Sequence, residues 1–437
     1  MRVRDQILRQ AIRRQRHLVP PGERRSFSSL REARAFMEAE VDRPVARQAR
    51  QIGAGIELRI FLHTLSNGAF TNVYDVSCEP DAATARIHIS ARPVDIRAAE
   101  QARSALVTAS AGFFVLGDKA SALPRQASLH LAITDGRIVS LPVADREAVL
   151  SRDGALSAAY IRAEGRLAIN GRELTWTGSR TGRSAQCYVY GNGNAVITHQ
   201  QDPVTGTARV LDEASQLTPA IRPGDQMVDV GFIAAEDGGF RSVAASTSGG
   251  MDIFSHDAVV RCPAGAVEPG RASMMDILQV GPLQGRCLPD SAVSAGPSLD
   301  VMDFAAHPIN DDPSLGSLPP FTDRRMARLV LYQDLQSRTH LRLFDGRPGS
   351  RSFPGVAPSE ARDAIAADTG FRWGCFLDPG QTARIWLNGP GGLTSYGNRH
   401  YLQWPESGTG RFTWVPGTGR PVPSIITIKS KGARTCQ

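Results

Sequence analysis

Lysine is nearly missing from this chain: Lys119, Lys429 and Lys431 stand against 47 arginines. A GC-rich coding bias accounts for that preference without any partner. No stretch approaches the ~18 apolar residues of a membrane-spanning helix, so an integral helical membrane protein is not expected. The six cysteines (Cys78, Cys187, Cys262, Cys287, Cys375, Cys436) contain no CxxC pair. They suit neither a zinc framework nor a disulfide scaffold, and they read as mostly reduced, buried thiols of a cytoplasmic protein. Walker A, HExxH, GxSxG and EF-hand patterns are absent. The nine histidines show no metal-ligand spacing. Aromatic residues are only 6% of the chain, and Trp176, Trp373, Trp386, Trp404 and Trp414 read as core or pocket wall.

The net charge of +7 is unevenly placed. The first 50 residues hold 13 arginines and six acidic residues, and the remainder is balanced at 37 of each sign. The basic character therefore belongs to an N-terminal arm, and a nucleic-acid-binding body is not expected. Arginines interrupt every apolar stretch near the start, so no secretory signal is read there. The spacing predicts a helix over 2–17 and a second over 29–41, opened by the capping box Ser29-Leu30-Arg31-Glu32, with Leu30, Phe36 and Met37 as its apolar side. Such an arm could dock on an acidic partner or a membrane surface. It could equally pack on the body or on a sister subunit, which would make a homodimer.

What the chain has in quantity is turns. Its 437 residues include 42 Gly and 28 Pro, without a period, which points to short strands. Ile56–Leu62, Ala85–Ser90, Ser128–Ile133, Arg137–Leu141 and Arg166–Ile169 alternate as strands. Asp135-Gly136, Asp153-Gly154, Asn170-Gly171 and Gly191-Asn192-Gly193 mark turns. Ile96–Ala109 reads as a helix, and residues 262–300 as a long loop or lid. Ser248-Gly249-Gly250 with His256-Asp257 is a tempting nucleophile cluster, but glycine turns rich in serine are common.

Residues 340–390 are the most informative. Leu341–Phe344 reads as a strand, Pro358–Asp368 as a helix and Trp373–Leu377 as a second strand. A right-handed parallel unit follows, with Asp345 and Asp378 at one edge of the sheet. Two carboxylates and Arg347 there suit chemistry on a sugar or a phosphate. Both aspartates equally suit Asx turns before glycine.

Several segments, in order, resemble the phosphodiester glycosidase family. Ser110-Ala111-Gly112-Phe113-Phe114 is similar to its Asn-Gly-Gly-Phe-Phe. Val293–Leu299 resembles its Gly-Gly-Pro-x-Leu turn, and Arg328-Leu329 falls where it has Arg-Thr. Asp345-Gly346-Arg347 is similar to its Asp-Gly-Arg, followed by Ser352, Gly355 and a helix with Glu360. Leu377-Asp378-Pro379-Gly380-Gln381-Thr382 stands for its Leu-Asp-Gly-Gly-Gly-Ser, and Arg420–Pro423 for its closing Arg-Pro-Val. The departures are Ser110, Leu329, Pro379 and Gln381, which change the shape of the pocket.

The resemblance implies an α+β fold: a mixed, curved β-sheet with flanking helices, preceded by the short helical extension. It divides the chain into an arm (1–55), a catalytic domain (56–430) and a tail (431–437). The activity implied is that of a bacterial protein hydrolysing a glycosidic or sugar-1-phosphodiester bond in a carbohydrate or sugar phosphate. Arg347 would hold the phosphate, and Asp378 would serve as base, nucleophile or charge stabiliser. Asp345 would orient Arg347 or a sugar hydroxyl. Ser110, Gly112, Phe113, Arg328, Ser352, Glu360, Gly380 and Thr382 would line the substrate site. Main-chain N–H groups near Gly112 and Gly380 would meet developing negative charge. No cofactor is expected; a divalent ion stays open, since Asp345 and Asp378 offer oxygen ligands. Two other functions stay open: a non-catalytic carbohydrate-binding protein, and a cytoplasmic enzyme transferring groups on a small metabolite.

Overall fold

The computed structural model describes residues 25–40, 42–96, 99–114, 127–194, 196–201, 208–214, 217–235, 238–268, 270–315, 320–347, 350–389, 392–397, 400–403, 412–416 and 421–431. The helix expected over 2–17 and Arg420 lie outside them.

Aspartate-glycine and asparagine-glycine pairs turn the chain where the sequence places them. Asp135, Asp153 and Asn170 take φ of 50°, 51° and 51°, and the glycines that follow take 70°, 79° and 80°. Two successive positive φ values match the right-handed twist of the strands they join. The three turns close Ala132–Thr134 on Arg137–Ser140, Arg146–Arg152 on Ala155–Ile161, and Glu164–Ile169 on Arg172–Gly178.

Sheets account for most of the structure, and the expected α+β class with flanking helices is overturned. Among the described residues there are 29 strands and three α-helices: α1 (Leu30–Glu40), α2 (Glu100–Ser104) and α3 (Pro358–Asp368). The helix expected over 96–109 shrinks to α2. Val107–Ser110 instead lies between Arg384–Gly389 and Val422–Ser430 in a five-stranded sheet. Its β-branched and small residues are all buried, so tertiary pairing overrides the alanine-rich composition. The loop expected over 262–300 contains the strands Met274–Val280 and Ser291–Ser294.

Seven strands close into a barrel, in the order Glu164–Ile169, Arg172–Gly178, Cys187–Tyr190, Ala258–Pro263, Met227–Ala234, Phe240–Ser246, Met274–Val280 and back to the first. All its contacts are antiparallel except the one between Arg172–Gly178 and Cys187–Tyr190. A six-stranded sheet runs Gln48–Gly53, Ile56–Thr64, Phe70–Cys78, Thr339–Phe344, Arg328–Gln333 and Trp373–Phe376. It packs on the first five-stranded sheet through Leu58, Val76, Leu341, Ala109 and Ile426. A second five-stranded sheet, in the order Ala155–Ile161, Arg146–Arg152, Ser291–Ser294, Ala132–Thr134 and Arg137–Ser140, is shared between two cores by strict alternation. Ala148 and Ala292 face the barrel core, whereas Val149 and Val293 face the core between the sheets.

The parallel unit of residues 340–390 takes a modified form. Arg328–Gln333 lies between Thr339–Phe344 and Trp373–Phe376, antiparallel to both. The outer two therefore run in the same direction without touching. Their C-terminal ends, and with them Asp345 and Asp378, still emerge at one edge of the sheet.

Candidate functional site

Four loops leave strand ends and interlock by main-chain bonds. Asp378 donates its N–H to Ala111 O at 2.8 Å, and Gly380 to Ala327 O at 2.8 Å. Leu377 donates to Leu329 O at 2.9 Å, Gly296 to Phe376 O at 2.7 Å, and Phe113 to Ser294 O at 3.3 Å. The Ser110, Val293, Arg328 and Asp378 segments, far apart in sequence, thus form one assembly. Gly112 is needed for that closeness: a Cβ there would lie 2.7 Å from Val293 Cβ and 2.9 Å from Ser294 O.

Arg328 is fully buried at the heart of this assembly. Its Nη2 donates to Phe321 O (2.8 Å) and Arg324 O (2.9 Å). Its Nε and Nη1 have no hydrogen-bond partner among the described residues. Burial pushes its pKa down to about 9, Arg324 pushes the same way, and the charge of Asp378 opposes both. A buried guanidinium with unused donors carries a cost that a nearby negative charge offsets.

Arg328 also begins an aromatic ladder. Its Cζ lies 4.6 Å from the centre of the Phe321 ring, and Phe321 meets Phe113 edge-on at 5.8 Å. Arg146 sits over Phe113 at 5.2 Å. Arg146 is bonded to Asp312, which also takes Arg180 Nη1 (2.8 Å) and His130 Nε2 (3.1 Å). Burial, then Arg146, pushes His130 down to about 4, while Asp312 draws it back up. Beside them Glu147 accepts from His307 Nε2 (3.1 Å) and the Ser298 N–H (3.2 Å). Sequence reasoning missed Arg146, Glu147, His130, His307 and Asp312. The available signal was the Arg146-Glu147 pair opening a strand whose next three residues are apolar. His130 also has φ of +56°, an unusual backbone for a non-glycine residue that sequence does not reveal.

The remaining sequence-predicted residues fall into two groups. Ser110 and Thr382 join the assembly through backbone: Ser110 Oγ accepts the Arg384 N–H (3.4 Å), and Thr382 Oγ1 donates to Pro379 O (2.9 Å). Gly112 and Gly380 give their N–H groups to Ser424 Oγ (3.0 Å) and Ala327 O (2.8 Å). Those donors are committed within the protein, contrary to the expectation that they face a ligand.

Asp345, Arg347, Ser352 and Glu360 serve the loop and helix that follow. The Asp345 carboxylate accepts the N–H of the next residue, Gly346, at 2.8 Å, while its own N–H bonds Asn72 O at 2.8 Å. Arg347 is not presented to a phosphate. Its Nε and Nη2 hold Asp42 at 3.0 and 2.5 Å, with both side chains buried, and Ser350 Oγ joins at 2.7 Å. Ser352 is exposed and its carbonyl accepts the Phe70 N–H at 2.8 Å. Glu360 caps α3 at Ala357 N (2.9 Å) and holds Arg325 in a two-point pair. Among the described residues no group of three or more His, Cys, Asp or Glu is gathered as a metal site.

No family model matches the sequence. No curated protein matches it either. Among solved structures, the chain is similar to a hypothetical protein from Synechocystis, 15% identical with a TM-score of 0.54, over 89% of this chain and 64% of that one. That likeness is one of fold, and this chain spans 64% of that protein's length. A weaker likeness is to the catalytic domain of zebrafish N-acetylglucosamine-1-phosphodiester α-N-acetylglucosaminidase, auto-inhibited by its pro-peptide. It is 12% identical with a TM-score of 0.38, over 90% of this chain and 91% of that domain. No described helix is long and apolar enough to cross a membrane.

Proposed function

We propose that this chain is a hydrolase acting at a glycosidic or sugar-1-phosphodiester bond, with Arg328 and Asp378 as its working pair. One observation carries the reading: the assembly of four loops encloses a buried guanidinium with unused donors, and the charge of Asp378 acts on it. A phosphomonoester leaves as a stable anion, so its departure needs positive charge more than a general acid. Arg328 supplies that charge. Asp378 supplies negative charge to an oxocarbenium-like sugar carbon, or takes the proton of the attacking water. Phe321 stands against Arg328, with Phe113 edge-on behind it, and keeps the dielectric low beside the guanidinium. Asp345, Arg347 and Glu360 position the neighbouring loop and helix and stay outside the chemistry.

The test is turnover of a panel of sugar-1-phosphodiesters and aryl glycosides by the full chain. Release of free sugar from at least one member supports the reading. Stable binding of intact sugars with no turnover across the panel overturns it in favour of a carbohydrate-binding protein, a role that Pro379 and Gln381 favour by departing from the glycines of the related loop.

A further inference from the structure

Cys187 and Cys262 lie in the barrel, away from the four-loop assembly. Cys187–Tyr190 and Ala258–Pro263 pair antiparallel, with Tyr188 opposite Arg261 and Val189 opposite Val260. One step along the same register sets Cys187 opposite Cys262. Opposed residues of an antiparallel pair point to the same face, with Cβ atoms about 4.5–5.5 Å apart. Both thiols are fully buried in the same core cluster. A disulfide needs Cβ atoms about 3.5–4.5 Å apart, so an approach of about an ångström completes it. The other described cysteines have no such partner. Cys78 stands opposite Ile56 and Thr339, Cys375 opposite Leu331, and Cys287 is exposed on a short turn.

We propose that Cys187 and Cys262 form a cross-strand disulfide that staples the barrel when the chain folds in the presence of a disulfide oxidant. With glutathione disulfide, one cysteine thiolate attacks a glutathione sulfur and releases one glutathione thiolate. The second cysteine then displaces the other. Two protein thiols are oxidised to one disulfide, one glutathione disulfide is reduced to two thiols, and the protons of the protein thiols pass to the released thiolates. Burial raises both thiols to about 12, so attack is slow once the barrel has closed, and the bond forms as it closes. The staple falls on a four-residue strand held by three residue pairs on each side. That strand leads into Asn192–Asn194, where Gly193 O accepts from Arg180 Nη1 at 2.9 Å, so it also buttresses the Arg180–Asp312 cluster.

The full chain is unfolded under reduction, refolded in a glutathione redox buffer or in dithiothreitol, digested without reduction and analysed by mass spectrometry. The expected product in the first buffer is a peptide carrying Cys187 linked to one carrying Cys262. It disappears on reduction, and its formation accompanies a rise in Tm of about 5 °C. Cys262→Ser and, as an apolar replacement for the buried site, Cys262→Val both abolish the link and the rise. Recovery of both thiols in alkylated form after oxidative refolding, or linkage of either to a different cysteine, overturns the proposal. A linked form that melts no higher than the reduced one overturns its role as a staple.

Discussion

The N–H of Asp378 donates to the carbonyl of Ala111 at 2.8 Å, and this bond joins two strand ends separated by more than 260 residues of sequence. It fixes where the Asp378 loop stands relative to the Ser110–Phe114 segment, and the charge of Asp378 is felt at Arg328.

Asp378→Asn keeps the size of the side chain and the main-chain bond to Ala111 while removing the negative charge. On the proposed mechanism kcat falls by about 10³-fold or more while Tm stays within a few degrees of wild type. Steady-state kinetics with thermal unfolding on the same preparation check this.

Arg328→Met replaces a buried charge by an apolar side chain of similar length. It gives up two bonds to main-chain carbonyls but also the cost of burying the guanidinium, so stability changes by no more than about 2 kcal/mol. The anion receptor is lost: inorganic phosphate at millimolar concentration raises the Tm of wild type and leaves the variant unmoved. Differential scanning fluorimetry over a phosphate series reads both effects.

Arg347 and Asp42 are a buried pair that the proposed mechanism does not use. Arg347→Ala strands the Asp42 carboxylate and costs about 3–5 kcal/mol, and the double variant with Asp42→Ala recovers part of that loss. The kcat of the fraction that remains folded is unchanged in both. Denaturant unfolding supplies the first comparison and active-site-normalised rates the second.

The His130 cluster makes the fold sensitive to mild acid. His130 is held down at about 4 in the folded chain and titrates near 6.5 when unfolded. Between those values the unfolded chain binds the extra proton, so this contribution is fully present above pH 6.5 and is lost as pH falls toward 4. The loss is on the order of 3 kcal/mol. His130→Asn flattens the stability profile within that window. Chemical denaturation at intervals from pH 7 to pH 4, with both proteins, gives the slope directly.

Local chemistry was legible in the sequence wherever a short-range rule decides the outcome. The Asp135, Asp153 and Asn170 turns follow from the φ preferences of Asx-Gly pairs, and α3 follows from Pro358 at its first position and Gly370 after its end. The common edge of Asp345 and Asp378 also followed, although the interposed Arg328–Gln333 strand did not, because a returning antiparallel strand leaves no mark on the crossover itself. Val107–Ser110 misled because its two sheet neighbours come from residues 384–389 and 422–430. The different surroundings of the two arginines were illegible for the same reason. Arg347 in Asp-Gly-Arg was the apparent ligand, but Asp42, some 300 residues earlier, claims it. Arg328 gains its open donors only from the way four distant loops close around it.

The most direct test is phosphorus NMR of sugar-1-phosphodiester hydrolysis in ¹⁸O-enriched water, with Asp378→Asn as control. A phosphomonoester signal is expected to grow with wild type and to be absent with the variant. That signal carries no ¹⁸O isotope shift, because on the proposed mechanism water attacks the sugar carbon and the phosphate keeps its bridging oxygen. An isotope-shifted phosphate, or equal turnover by wild type and variant, would contradict it.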